Sequence, residues 1–172
     1  NGHYSFWPGD SGYSDPLITP YVVEFLMDAE AAGFRVPAGV LQKSLERLRQ
    51  DLLSGGTVAW DRVWGEAAEH VRLAFNAHAA LVLSRVNQAP LGTLRNLYDH
   101  SRDDARGPLP LMRLAVALKQ AGDSDRAGAA ALAALGKRYQ RGTGFWGDYY
   151  TGRGDRAATL ALALESGLLP PG

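Results

Sequence analysis

From Pro16 onward, apolar side chains recur at helical spacing along almost the whole chain. The pattern predicts a helix from Pro16 to about Ala32, with Asp15 at the cap, Pro16 at the first helical position and Gly33 as the stop. Its apolar set (Leu17, Ile18, Tyr21, Val22, Phe25, Leu26, Ala29) is wider than a surface helix requires. The next helix, Ala38 to Leu53, carries only the narrow stripe Leu41, Leu45, Leu48, Leu52 and closes at Gly55-Gly56. Glu66 to Val86 is again broadly apolar and rich in alanine, whereas Leu91 to about His100 is amphipathic. Leu109 to Ala121, with Pro108 at its start, is apolar nearly all round and stops at Gly122. Asp123 then caps an alanine-rich helix to about Lys137, and Ala157 to Leu164 opens a last helix ending at Gly167.

Apolar and amphipathic helices therefore alternate, the odd-numbered ones being apolar. Such alternation predicts an all-α fold of antiparallel hairpins set side by side, with one layer of helices inside and one outside. A repeat supports it. Phe6-Trp7, Gly9-Asp10, Tyr13, Asp15 and Thr19 precede the first helix, and Phe145-Trp146, Gly147-Asp148, Tyr149, Asp155 and Thr159 precede or open the last. In both copies the aromatic pair is expected to plug the gap between hairpins while the aspartates cap the helix that follows. Between the copies lie about three hairpins of roughly 45 residues, a usual size for helical repeat units.

Composition narrows the function classes. Over 172 residues, 46% hydrophobic and 21% charged residues describe one globular domain without an internal boundary. Lys+Arg and Asp+Glu are both 18, and no basic run gathers the positive charge, which argues against nucleic acid as a partner. With no cysteine, disulfides, thiol chemistry and cysteine-based zinc sites are excluded. No apolar run approaches the roughly 20 residues that span a bilayer. Asn1 in place of Met, with no signal segment, makes a piece of a longer protein the expectation.

Candidate chemistry reduces to a few sites. Gly9-Asp10-Ser11-Gly12 is the string around the nucleophile of trypsin-like proteases, but Ser11 precedes every histidine except His3 and no strands are predicted to hold it. It reads as a turn. His70 and His78 are eight apart, yet no carboxylate completes a His-Glu-x-x-His pattern, and His3 and His100 stand alone. Asp103-Asp104 resembles the acidic motif of terpene cyclases but lacks its further aspartate, so a charged turn is expected. Asp10, Asp15, Asp148 and Asp155 are the residues a toroidal glycosidase would use as acid and base; each also sits where a helix cap belongs, and capping accounts for them. Gly142-Thr143-Gly144 lacks the pattern of a phosphate loop. No catalytic residue, metal ligand or cofactor site is assigned.

A family resemblance runs over essentially the whole chain. Asn1-Gly2, Phe6-Trp7 and Asp15-Pro16-Leu17-Ile18-Thr19-Pro20-Tyr21-Val22 resemble the Gly-Phe...Trp...Leu-Thr-Ala-Tyr-Val segment of thioester domains in the alpha-2-macroglobulin superfamily. Ala79 to Leu83, Ala89 to Arg95, Gly107 to Leu111, Val116 to Lys119, Ala121-Gly122-Asp123 and Trp146 to Tyr149 are similar to the bacterial branch. The resemblance implies an α/α toroid like that of terpenoid cyclases, of which this chain is the later part. It implies a periplasmic, non-enzymatic protease trap in which bait cleavage exposes a Cys–Gln thioester that captures the attacker. The family's Cys-x-Glu-Gln motif lies upstream of the Phe...Trp segment, outside this chain. The histidine that assists transacylation in complement relatives is missing from Gly55 to Asp61. The implied partners are proteases and neighbouring domains of the parent. A cut toroid leaves apolar helix faces bare, and self-association of the chain is expected. Two other readings stay open at this point: a free-standing hairpin module that binds proteins, and a toroidal glycosidase.

Overall fold

The computed structural model describes residues 2–4, 18–37, 39–56, 68–138 and 152–169. Among them are seven α-helices and no strand: α1 Ile18–Ala31, α2 Val40–Leu53, α3 Ala68–Ser84, α4 Leu91–Ser101, α5 Leu109–Gln120, α6 Ser124–Gly136 and α7 Gly152–Glu165. A 3-10 turn, Arg102–Asp104, follows α4. All seven match helices expected from periodicity. The largest shift is at α7, which begins at Gly152 instead of Ala157. Two glycines in its first turn hide the start from a propensity reading. Asp155, expected as a cap ahead of the helix, lies inside that turn and is buried, with the Thr159 hydroxyl donating to its carbonyl at 2.7 Å.

The odd helices form one layer, in which α3 touches α1 and α5, and α5 touches α7. The even helices form the other: α2 lies on α1 and α3, α4 on α3 and α5, α6 on α5 and α7. This is the predicted two-layer array of hairpins. The inner helices stop in one way. After α1, α5 and α7 the chain turns through a positive-φ residue, Gly33, Gly122 or Gly167, and after α3 through Asn87. In each case the amide two residues past the last turn reaches back five residues, as in Phe34 N–H to Ala29 O at 2.9 Å and Asp123 N–H to Leu118 O at 2.9 Å. This pairing satisfies carbonyls that the helix leaves open and turns the chain toward the outer layer.

Burial does not follow the alternation uniformly. Every residue of α3 from Leu73 to Ser84 is buried, as is every residue of α5 from Leu109 to Leu118. By contrast, α1 buries only Thr19, Pro20 and Val23, and α7 only Asp155, Thr159 and Ala163. Tyr21 and Phe25 on α1 are 44% and 62% exposed, and Leu160 and Leu164 on α7 are 46% and 68% exposed. The expectation that α1 is mostly buried is thus corrected. Its apolar residues are there, but among the described helices α1 has an inner-layer neighbour, α3, on one side only.

Candidate functional site

The C-terminal ends of all four inner helices meet around a cleft of about 610 Å³. Glu24 and Asp28 come from α1, Leu81 and the adjacent Arg85 from the end of α3, Lys119 and Gln120 from α5, and Leu162 and Glu165 from α7. Glu24 and Asp28 stand one turn apart, so both carboxylates point across the same groove. Arg85 joins them, with Nη2 at 2.5 Å from Asp28 Oδ1 and Nη1 at 3.8 Å from Glu24 Oε1. Below them, the fully buried His78 places Nε2 at 2.8 Å from Glu24 Oε2. Burial pushes the Glu24 carboxyl up, but the His78 hydrogen bond and charge, then the Arg113 and Arg85 charges, outweigh it and hold the group below its usual range. On the other wall Lys119 Nζ donates to Ser166 O at 2.5 Å and to Gly167 O at 3.3 Å, closing the end of α7. The cleft's cations are thus already engaged by its own acceptors. Among the described residues it contains neither a nucleophile paired with a base nor a group of donors aimed at a common point.

A second cluster ties the N-terminal residues to α2. His3 Nε2 lies 2.6 Å from Asp51 Oδ2, Arg47 Nε is 3.0 Å from the same ring nitrogen, and Arg47 Nη2 is 3.0 Å from Asp51 Oδ1. Tyr4 contributes its hydroxyl to Ser44 Oγ at 3.0 Å and its backbone N–H to Thr19 Oγ1 at 3.1 Å. An imidazole, a carboxylate and a hydroxyl are close here, but the Ser44 hydroxyl donates to Val40 O and not to His3, so no proton relay is assembled. A third cluster staples the outer layer. Asp123 caps α6 by accepting from Arg126 N–H at 3.2 Å, and its Oδ2 accepts from Arg95 Nε at 2.6 Å. The Arg95 bond, followed by that backbone bond, holds the Asp123 carboxyl below its usual range. Arg126 extends to Asp99 at 3.0 Å through both Nε and Nη2 and lowers that carboxyl as well.

The other residues singled out from sequence fall apart as a site. His70 is buried and its Nδ1 accepts from Arg106 N–H at 2.9 Å, so it joins α3 to the turn after α4, whereas His78 pairs with Glu24 of α1. His100 is exposed, with Nδ1 at 3.0 Å from Asn96 O. Asp103 and Asp104 form the 3-10 turn, as expected of a charged connector. Among the described residues no three His, Cys, Asp or Glu side chains are grouped to hold a metal ion. Ser11, Asp10, Asp15, Asp148, Gly142-Thr143-Gly144 and both aromatic pairs lie outside the described residues. Sequence reasoning missed the Glu24–His78–Arg85–Asp28 row. Its signal was the i, i+4 acidic pair on a largely apolar helix, matched by a histidine and an arginine seven apart.

No family model matches the chain. Alpha-2-macroglobulin of Xylella fastidiosa (strain Temecula1) is 43% identical over 171 residues, covering 99% of this chain and 10% of that protein. Alpha-2-macroglobulin of Escherichia coli K12 is 36% identical over 173 residues, with the same coverage of 99% and 10%. The chain thus spans about a tenth of the length of these curated relatives. Among solved structures, native E. coli alpha-2-macroglobulin from domain MG7 to the C-terminus aligns with a TM-score of 0.89 and 36% identity, over 99% of this chain and 26% of that one. The E. coli protein activated by porcine elastase gives 0.87 and 35%, over 98% and 15%. Salmonella alpha-2-macroglobulin reacted with methylamine gives 0.87 and 34%, over 99% and 11%. From end to end, this chain is homologous to a segment of bacterial alpha-2-macroglobulin.

Proposed function

We propose that this chain is the later part of the thioester-type α/α toroid of a bacterial alpha-2-macroglobulin, a non-enzymatic element of a protease trap. The observation that carries the reading is the chain-long match, 36–43% identical in sequence and 0.89 in TM-score. The two-layer alternation of α1 to α7 supports it, because a toroid is a ring of such hairpins. The bare flanks of α1 and α7 fit an array that continues on both sides in the parent. Elastase in one related structure and methylamine in another support a protease target and an acyl group open to amines. A chain without cysteine supplies no thioester sulfur of its own. Its part is therefore to carry and orient the reactive centre held elsewhere in the parent. Periplasmic location belongs to the same proposal; among the described residues no helix is long and apolar enough to cross a membrane.

The test is the full-length parent incubated with elastase. The expected result is retained elastase in an adduct that survives denaturing electrophoresis and disappears after pretreatment with methylamine. Elastase that stays fully active on protein substrates and migrates alone contradicts the proposal.

A further inference from the structure

Helix α1 is attached in an unusual way for a member of an inner layer. Of its 14 residues only Thr19, Pro20 and Val23 are buried, Met27 leans half-buried against the core, and Tyr21 and Phe25 face outward. Its grip on α3 is instead polar. Glu24 bonds the buried His78 at 2.8 Å, and Asp28 and Glu24 hold Arg85 at 2.5 Å and 3.8 Å. The Arg113 guanidinium of α5, buried in the same layer, adds its charge to those facing Glu24. No charged group of α2 is among the partners acting on Glu24. One carboxylate on α1 thus serves an imidazole and two guanidiniums on the neighbouring helices.

We propose that α1 is a separately releasable helix, latched to the inner layer through Glu24 and Asp28, and that acid opens the latch. Protonating Glu24 removes the anion that His78, Arg85 and Arg113 share on α1 and leaves the helix held by Val23, the Tyr4 N–H bond to Thr19 Oγ1 and its packing on α2, too little to keep it fully closed. The folded-state pKa of Glu24 lies below its ordinary value of 4.5. The latch is therefore fully formed above that value and is lost as the pH falls through the lowered one. Helices α3 and α5 stay closed, since they pack on each other and both are buried along most of their length by side chains such as Leu83 and Leu114.

Hydrogen exchange on the 172-residue chain, resolved by segment from pH 7 downward through the acid range in which Glu24 protonates, tests this. The expected result is that protection of 18–31 falls roughly tenfold relative to 109–120, the loss of one charge-assisted hydrogen bond. Glu24→Gln should show the same loss already at pH 7, and Asp28→Asn a smaller one. The proposal is overturned if α1 and α5 lose protection together in acid, or if Glu24→Gln keeps the parent protection of α1. A Glu24→Gln chain that also unprotects α5 overturns it too, because Glu24 would then hold the whole array.

Discussion

Gly56, just past the end of α2, packs directly against Asn76 of α3. Its φ is +69°, and a Cβ built there would run into the Asn76 side-chain amide, whose nitrogen donates to Gly55 O at 3.2 Å. Gly56→Ala should therefore cost about 1–2 kcal/mol from backbone conformation alone, with the displaced Asn76 adding to it. Urea denaturation measures this. Phe75 is fully buried on α3, and truncation to alanine should cost about 3–5 kcal/mol. Leu164, 68% exposed, should tolerate serine within about 0.5 kcal/mol. If the Leu164 variant were as damaging as the Phe75 variant, the burial pattern would be wrong. At this scale the sequence was partly legible. Asp123 was readable as a cap because it directly precedes an alanine-rich run. The pairing of Glu24 with His78 was not, because it joins residues 54 apart in sequence and only the packing of α1 on α3 brings them together.

Among elements, periodicity located all seven helices and glycine stop signals marked the ends of α1, α5 and α7, while the positive-φ Asn87 after α3 was not read as a stop. What periodicity did not reveal was which apolar faces are covered. Tyr21, Val22, Phe25 and Leu26 form the stripe read from sequence, yet none of them is buried, and the buried apolar side chain of α1 is Val23, outside that stripe. A stripe records what a helix is built to touch, and cover depends on whether that partner is present. The acid response follows from the elements as well. Asp99 and Asp123 both have carboxyls held below their usual range by Arg126 and Arg95, and so stabilise the α4–α6 staple above that range and not below it. Thermal melts should show a midpoint that is flat near neutrality and falls as the pH drops below about 4. A midpoint that rises on acidification contradicts this.

At the scale of the molecule, the described helices form a run of hairpins with two apolar flanks. In isolation, Tyr21 and Phe25 on one side and Leu160 and Leu164 on the other should drive weak self-association. Sedimentation velocity should show larger species growing with concentration, reduced by Phe25→Ser with Leu164→Ser. The homology to bacterial alpha-2-macroglobulin was legible from sequence because its motifs are spread over the whole chain. A chain without cysteine gives no direct sign of the proposed thioester centre. The central claim is that these flanks are interior surfaces of a larger ring in the parent. The absence of cysteine gives a direct measurement: maleimide labelling of Phe25→Cys and Leu164→Cys, quantified by peptide mass, in the isolated chain and in the native parent. The account predicts rapid labelling of both sites in the isolated chain and strong protection of both in the parent. Equal labelling in the two would contradict it.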